Sequence, residues 1–155
     1  MTAWEKTLRI VVSVLFVAAV ALLGSAFTDT GTDWYQGLTL PALQPPPVVF
    51  SVVWTALYLL FAASLSIVSL QKDISKSTLL LYAISGVLNV LWSYTFFVRE
   101  NPAGSLFVLI CVIITAGLLI CDVFKTSKAA AYLLIPYLIW LCFALSLNYE
   151  IAFLN

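Results

Sequence analysis

The sequence predicts an all-α integral membrane protein, a single-domain bundle of five transmembrane helices with a long, folded first loop. Composition gives the class. The 155-residue chain is 63% hydrophobic and only 9% charged, whereas a soluble domain carries about 25% charged residues. That inventory cannot make a water-facing surface, so lipid must be much of the solvent. Charge placement gives the helix count. The charges cluster as Glu5, Lys6 and Arg9; Asp29 and Asp33; Lys72, Asp73 and Lys76; Arg99 and Glu100; Asp122, Lys125 and Lys128; and Glu150. Between them lie the uncharged stretches 10–28, 34–71, 77–98, 101–121 and 129–149.

A helix needs about 20 apolar residues to cross a hydrocarbon core about 30 Å thick. Four stretches have that length. Pro45-Pro46-Pro47 divides the over-long second one, because proline cannot donate inside a helix yet starts one well. The predicted spans are about residues 8–28, 47–70, 77–98, 101–122 and 129–150, with a loop over about 29–46. The apolar runs are continuous rather than alternating with period two, which argues against a β-barrel. Asn101-Pro102 supplies a cap and a first-turn proline for the fourth span, and Pro136 is expected to kink the fifth. The last three connections are short, so sequential neighbours are expected to pack antiparallel. The first loop mixes turn formers with Trp34 and Tyr35. Two readings stand for it: a lid folded back over the bundle, or an anchor in the interfacial aromatic belt.

Lys6, Arg9, Lys72, Lys76, Lys125 and Lys128 fall on one side of the predicted membrane and only Arg99 on the other. The positive-inside rule then places the N-terminus in the cytoplasm and the C-terminus outside, in a prokaryotic cell membrane. Lys6 and Arg9, the following apolar run and Gly24-Ser25-Ala26 also fit a cleaved signal peptide. The run is long for that purpose, and cleavage would leave four spans; the intact mass of the mature protein separates the two readings. Cys111, Cys121 and Cys142 are an odd set without paired spacing, which argues against disulfides or a zinc site. The chain has no His and its only Met is Met1, which excludes imidazole metal ligation, His acid–base chemistry and His or Met haem ligation. No metal, obligatory cofactor or nucleic acid is expected.

Polar and large aromatic residues inside the spans mark where function would lie. Asn89 and Asn148 are buried amides that need partners, either another helix or a ligand. At 1.5 Å per residue Trp54 and Trp92 lie roughly 10 Å and 9 Å below the external face, and Trp140 roughly 14 Å below it. Trp140 is too deep for an interfacial belt. Trp54 and Tyr58 share a face of the second span. Asn89, Trp92, Ser93 and Phe96 share one of the third, as do Tyr137, Trp140, Ala144 and Asn148 of the fifth. These faces predict an aromatic-walled pocket under the first loop, suited to a flat hydrophobic ligand. Plain aromatic core packing is the alternative.

The same residues carry a family likeness. Trp34-Tyr35, Pro41, Pro45-Pro46, Phe50, Trp54-Thr55 and Leu57-Tyr58 resemble the tryptophan-rich sensory protein/translocator protein family, which includes the peripheral benzodiazepine receptor. Asn89-Val90-Leu91-Trp92-Ser93 is similar to its third-helix motif. Ile135-Pro136-Tyr137-Leu138-Ile139-Trp140 and Leu147-Asn148-Tyr149-Glu150 are similar to its fifth. The likeness runs over most of the chain, in order. It implies a five-helix bundle, a homodimer, and binding of porphyrins such as protoporphyrin IX and of benzodiazepine-site ligands. In bacteria it implies tetrapyrrole and stress regulation. By motif position the implied ligand-binding residues include Trp34, Trp54, Tyr58, Asn89, Trp92, Trp140, Ala144 and Asn148; Phe96 and Tyr137 join them from the helical faces. Trp34 and Trp140 match the tryptophans tied to porphyrin photochemistry.

Three departures stand out. Leu40 replaces the family's usual basic residue before the loop proline, and Leu43 replaces its second loop Trp. The C-terminal cholesterol motif also fails, since no Lys or Arg follows Tyr149-Glu150. The reading is therefore a membrane receptor or sensor for porphyrin and similar flat ligands. Light-dependent oxidative breakdown of protoporphyrin through Trp34 and Trp140 is one alternative. No acid–base pair or nucleophile lies in the spans, so any chemistry would depend on the pigment. Small-molecule transport is the second alternative, and it lacks the intramembrane ionisable groups that coupled transport uses. Ala83, Ser85 and Gly86 of the third span and Gly104 of the fourth offer small surfaces for a dimer interface.

Overall fold

The computed structural model describes residues 1–72 and 74–155; Asp73, counted above in one of the charge clusters, lies outside them. Five of its helices are long and apolar enough to cross a membrane. Helix α1 spans Ala3–Phe27, the short α2 Asp33–Gln36, α3 Pro47–Ser69, α4 Lys76–Ser93, α5 Pro102–Thr126 and α6 Lys128–Leu154. The N-termini follow from local chemistry. The Thr2 side chain accepts from the Glu5 backbone N–H and Glu5 accepts from that of Thr2, a capping box that starts α1 five residues before the predicted position 8. Pro47 opens α3 where predicted, Asn101 Oδ1 caps α5 through the Gly104 N–H at 2.8 Å, and Ser75 and Ser127 cap α4 and α6. Helix α6 is continuous through Pro136.

One regular span was predicted over 77–98. Its last turn is instead a π-helix, Tyr94–Val98, in which the Arg99 N–H donates to the Tyr94 carbonyl. The wider turn is a local departure of the kind often found at functional sites. Beyond it Glu100 has a positive φ of 50°, and the chain reverses into α5.

The long helices close a ring in the order α1, α3, α6, α5, α4 and back to α1. Sequential neighbours were expected to pack side by side, and α3 with α4 is the exception. Their backbones do not pack along one another; α1 lies between them. The two helices meet only across the interior, through long side chains. Phe61 contacts Tyr82 edge-on, with ring centroids 5.2 Å apart. The Ser64 hydroxyl donates to the Ala130 carbonyl at 2.8 Å and so accepts from the Tyr82 hydroxyl at 2.6 Å. One small polar node thus joins α3, α4 and α6 where hydrocarbon offers no other partner. Many remaining span hydroxyls, among them Ser13, Thr28, Thr55, Thr95 and Thr115, donate to the carbonyl one turn back in their own helix.

Ser85 and Gly86 are buried inside this ring and cannot form a dimer surface. A Cβ at Gly86 would lie 2.9 Å from both Phe16 and Val20, so glycine is what lets α1 approach α4. Gly86→Leu is expected to cost about 1–3 kcal/mol through overpacking. The readout is a lower thermal unfolding midpoint in detergent, and an unchanged midpoint would mean that α1 withdraws freely.

Candidate functional site

The half of the bundle holding the C-terminal ends of α1, α4 and α6 contains a cavity of about 440 Å³, within the range of small-molecule sites. Its deep wall is aromatic. Trp54 of α3 sits 5.5 Å from Tyr58 and 6.4 Å from Trp92 of α4, ring centroid to centroid. Trp92 continues to Phe96 at 6.0 Å and Phe97 at 6.4 Å. Phe96 and Phe97 are consecutive, and in an α-helix they would diverge by about 100°. In the π turn their rings lie 4.8 Å apart, centroid to centroid, and both line the cavity.

Two side-chain amides in this wall are hydrogen-bonded to neighbouring helices. Asn148 of α6 is 2% exposed. Its Oδ1 accepts from Trp92 Nε1 at 2.9 Å and lies 3.0 Å from the Ser105 hydroxyl, while its Nδ2 donates to the Pro102 carbonyl at 2.9 Å. That residue therefore fixes the Trp92 ring and joins α4, α5 and α6. Asn89 Nδ2 donates to the Tyr137 hydroxyl at 3.0 Å, which leaves the Asn89 carbonyl oxygen as the group of that side chain available to the cavity.

The loop forms the roof. Asp29 accepts from the Gly31 N–H, Thr32 caps α2, and Gln36 donates to the Thr30 carbonyl, so the loop is held by its own side chains. Tyr35 is buried against Phe97, with centroids 5.7 Å apart, and Trp34 meets Phe96 edge-on at 5.7 Å. The Asn155 side-chain amide accepts from the Thr39 N–H at 2.8 Å and donates to the Thr39 carbonyl at 3.1 Å, clasping the loop to the end of α6. The loop is thus folded back over this end of the bundle and packed against it. Gln44 donates to the Tyr35 hydroxyl at 3.4 Å, and its own carbonyl oxygen is buried without a partner among the described residues. Burial pushes the Tyr35 hydroxyl above its ordinary pKa, against a smaller lowering by Gln44. The exposed lining residues are Leu22 and Ser25 of α1, Thr28 at its C-cap, and Pro47, Ser51 and Thr55 of α3, so the cavity opens between those two helices.

The profile of the TspO/MBR family matches residues 13–154. The chain belongs to that family. It is 38% identical over 152 residues to the tryptophan-rich protein TspO of Archaeoglobus fulgidus, covering 96% of this chain and 97% of that one. It is 33% identical over 146 residues to the tryptophan-rich sensory protein of Cereibacter sphaeroides, covering 91% of each. With human translocator protein it shares 34% identity over 134 residues, covering 82% of this chain and 78% of that one. Family and helices together make it a multi-pass membrane protein.

Within this TspO/MBR bundle, Trp54, Tyr58, Asn89, Trp92, Phe96, Ala144 and Asn148 line one cavity. Three predicted residues stand apart from the lining. Trp34 lies behind Phe96. Tyr137 lies deeper, among Asn89, Ser85 and Phe61. Trp140 packs on Phe50, at 5.6 Å, and Phe143, with its indole N–H buried and unpaired among the described residues. Phe50 itself lines the cavity, so Trp140 is one ring removed from it. Sequence reasoning missed the α1 contribution of Gly24, Ser25 and Thr28, together with Tyr35, Gln44 and Phe97. Small and polar residues late in the first span, among them the Gly24-Ser25-Ala26 that also fits a cleavage site, were the available signal. Cys121 and Cys142 are exposed and Cys111 half-buried, all free.

Proposed function

We propose that this TspO/MBR member is a membrane receptor that takes up a flat, hydrophobic ligand of the porphyrin class, protoporphyrin IX or a similar ring system, in the cavity under the first loop. Benzodiazepine-site compounds share that shape and would compete for it. The carrying observation is the continuous wall of Trp54, Tyr58, Trp92, Phe96 and Phe97 around an open volume of about 440 Å³. Such a wall offers stacking area at little entropic cost. The relatives' names, sensory protein and translocator protein, are consistent with it. Under this reading the basic end faces the cytoplasm and the cavity lies in the outer half of the bilayer.

The test is a protoporphyrin IX titration of detergent-purified protein, followed by quenching of intrinsic tryptophan fluorescence. Saturation at a fixed stoichiometry supports the receptor reading. Quenching that rises without limit, as partitioning into micelles would give, removes it.

Charge makes a second, quantitative prediction. None of the residues lining the cavity is charged. The end it faces carries Asp29, Asp33, Glu100 and Glu150 against the single cation Arg99. A carboxylate buried there would be unpaired, at a cost of several kcal/mol. Propionates must therefore stay at the mouth. Protoporphyrin IX dimethyl ester is expected to bind about tenfold tighter than the free acid, equivalent to about 1.4 kcal/mol. Equal or weaker binding of the ester would show that a cation reaches the carboxylates.

A further inference from the structure

A second cavity, of about 460 Å³, lies at the opposite end of the bundle and plays no part in the site above. Its walls are Leu8, Val12 and Phe16 of α1 and Leu79 and Ala83 of α4, with Leu65 and Ser69 of α3 as its floor. The geometry explains the gap. Helices α1 and α4 touch closely at Gly86, where even a Cβ would crowd Phe16 and Val20. Two turns nearer the basic end their surfaces part, and Leu8, Val12 and Leu79 are exposed. A groove that faces hydrocarbon and has apolar walls is filled by an acyl chain, since water there would lack partners.

Arg9 stands at the polar end of this groove. One guanidinium nitrogen, Nη1, donates to the Ser69 carbonyl at 2.6 Å, which holds the side chain across the end of α3. A guanidinium has five N–H donors, so four remain for another acceptor, and a phosphate oxygen pair matches its fork. The surrounding charge has the same sense. Among the described residues this end of the bundle carries Lys6, Arg9, Lys72, Lys76, Lys125 and Lys128 against Glu5 and Asp122. Asp122 is already engaged, accepting from Thr78 at 2.6 Å and lying 3.7 Å from Lys125.

We propose that this groove is a specific site for one anionic phospholipid, with an acyl chain between α1 and α4 and the headgroup phosphate on Arg9. The lipid braces the diverging ends of α1, α3 and α4, where side-chain packing alone leaves a gap. A zwitterionic lipid supplies the same chain and the same phosphate, but its ammonium meets an end of the bundle where cations outnumber carboxylates. The expected preference for the anionic headgroup is about tenfold, from one or two cations near the phosphate.

The experiment compares dioleoyl phosphatidylglycerol with dioleoyl phosphatidylcholine, each titrated into detergent-purified full-length protein. Native mass spectrometry counts retained lipid, and the thermal unfolding midpoint is read in parallel. The proposal expects one phosphatidylglycerol retained and a saturable rise in midpoint that phosphatidylcholine reproduces only at about tenfold higher mole fraction. Arg9→Gln removes the headgroup preference. Because that change also removes the bond to Ser69, Ala83→Phe provides the second arm: it plugs the groove, leaves Arg9 in place and abolishes the retained lipid. Equal responses to the two lipids, or a preference that survives both substitutions, would overturn the proposal and leave only a generic lipid annulus.

Discussion

Asn148→Leu is expected to destabilise the protein by about 2–4 kcal/mol and to release the Trp92 ring. Leucine keeps the number and branching of the side-chain heavy atoms of asparagine, so the change chiefly removes polar groups from their partners. Oδ1 accepts from Trp92 Nε1 and faces the Ser105 hydroxyl, and Nδ2 donates to Pro102. Each intramembrane side-chain bond contributes roughly 0.6–2 kcal/mol. A buried donor left without an acceptor costs a further ~1–3 kcal/mol. Ser105 keeps an alternative, because its hydroxyl also lies 2.8 Å from the Pro102 carbonyl. The penalty therefore concentrates on Trp92. Thermal unfolding of the wild type, Asn148→Leu, Trp92→Phe and the double variant measures it as a coupling energy. Trp92→Phe should make the second substitution much cheaper. If the two changes simply add, Asn148 does not hold Trp92, and the wall of the cavity is fixed by packing alone.

That node also shows what a sequence can and cannot convey. The five spans were legible because charges are excluded from hydrocarbon, so gaps between charge clusters measure helix lengths directly. Their ends were less so: the Thr2–Glu5 box extends α1 back to Ala3, and α6 runs on to Leu154 rather than ending near 150. The π turn at Tyr94–Val98 was invisible, since hydrophobic character in a lipid-facing helix has no phase to slip. Pairing of α3 with α4 failed because a short connection brings helix ends together without making the helices neighbours in a ring.

The same logic sorts the site. Helical spacing grouped Tyr137, Trp140, Ala144 and Asn148 on one face. At 100° per residue Trp140 is turned about 80° from Asn148, whereas Tyr137 differs by only about 20°. Tyr137 misses the cavity by depth, roughly 16 Å along the axis from Asn148. Trp140 misses it by direction. Neither the lid's contacts nor the sharing of Phe96 and Phe97 could be read without the tertiary structure. Asn148, for which either another helix or a ligand could be the partner, makes the helix–helix bonds while also lining the cavity.

Trp54 and Trp140 should therefore behave oppositely when the ligand is titrated. Trp54 lines the cavity and touches Tyr58, Trp92 and Tyr137. Its indole is one of the two in the cavity wall on which a flat ring could stack, and stacked aromatic contacts with their buried area contribute about 2–3 kcal/mol. Trp54→Ala is expected to weaken protoporphyrin IX binding by about 30–100-fold. Trp140→Phe preserves a ring against Phe50 and removes an N–H that has no partner among the described residues, so affinity should stay within about twofold and stability should hold or rise slightly. The two variants also separate binding from photochemistry. If illumination degrades bound porphyrin, oxidation mapped by peptide mass spectrometry should fall first on Trp54 and Trp92, the indoles in the cavity wall. Damage confined to Trp140 and Trp34, with Trp54→Ala binding normally, would mean that the ligand enters another state of the bundle, with the lid displaced and Phe50 swung aside. In that state the Trp140 N–H would gain the acceptor it now lacks, and its isolation behind Phe50 would be the mark of a closed receptor.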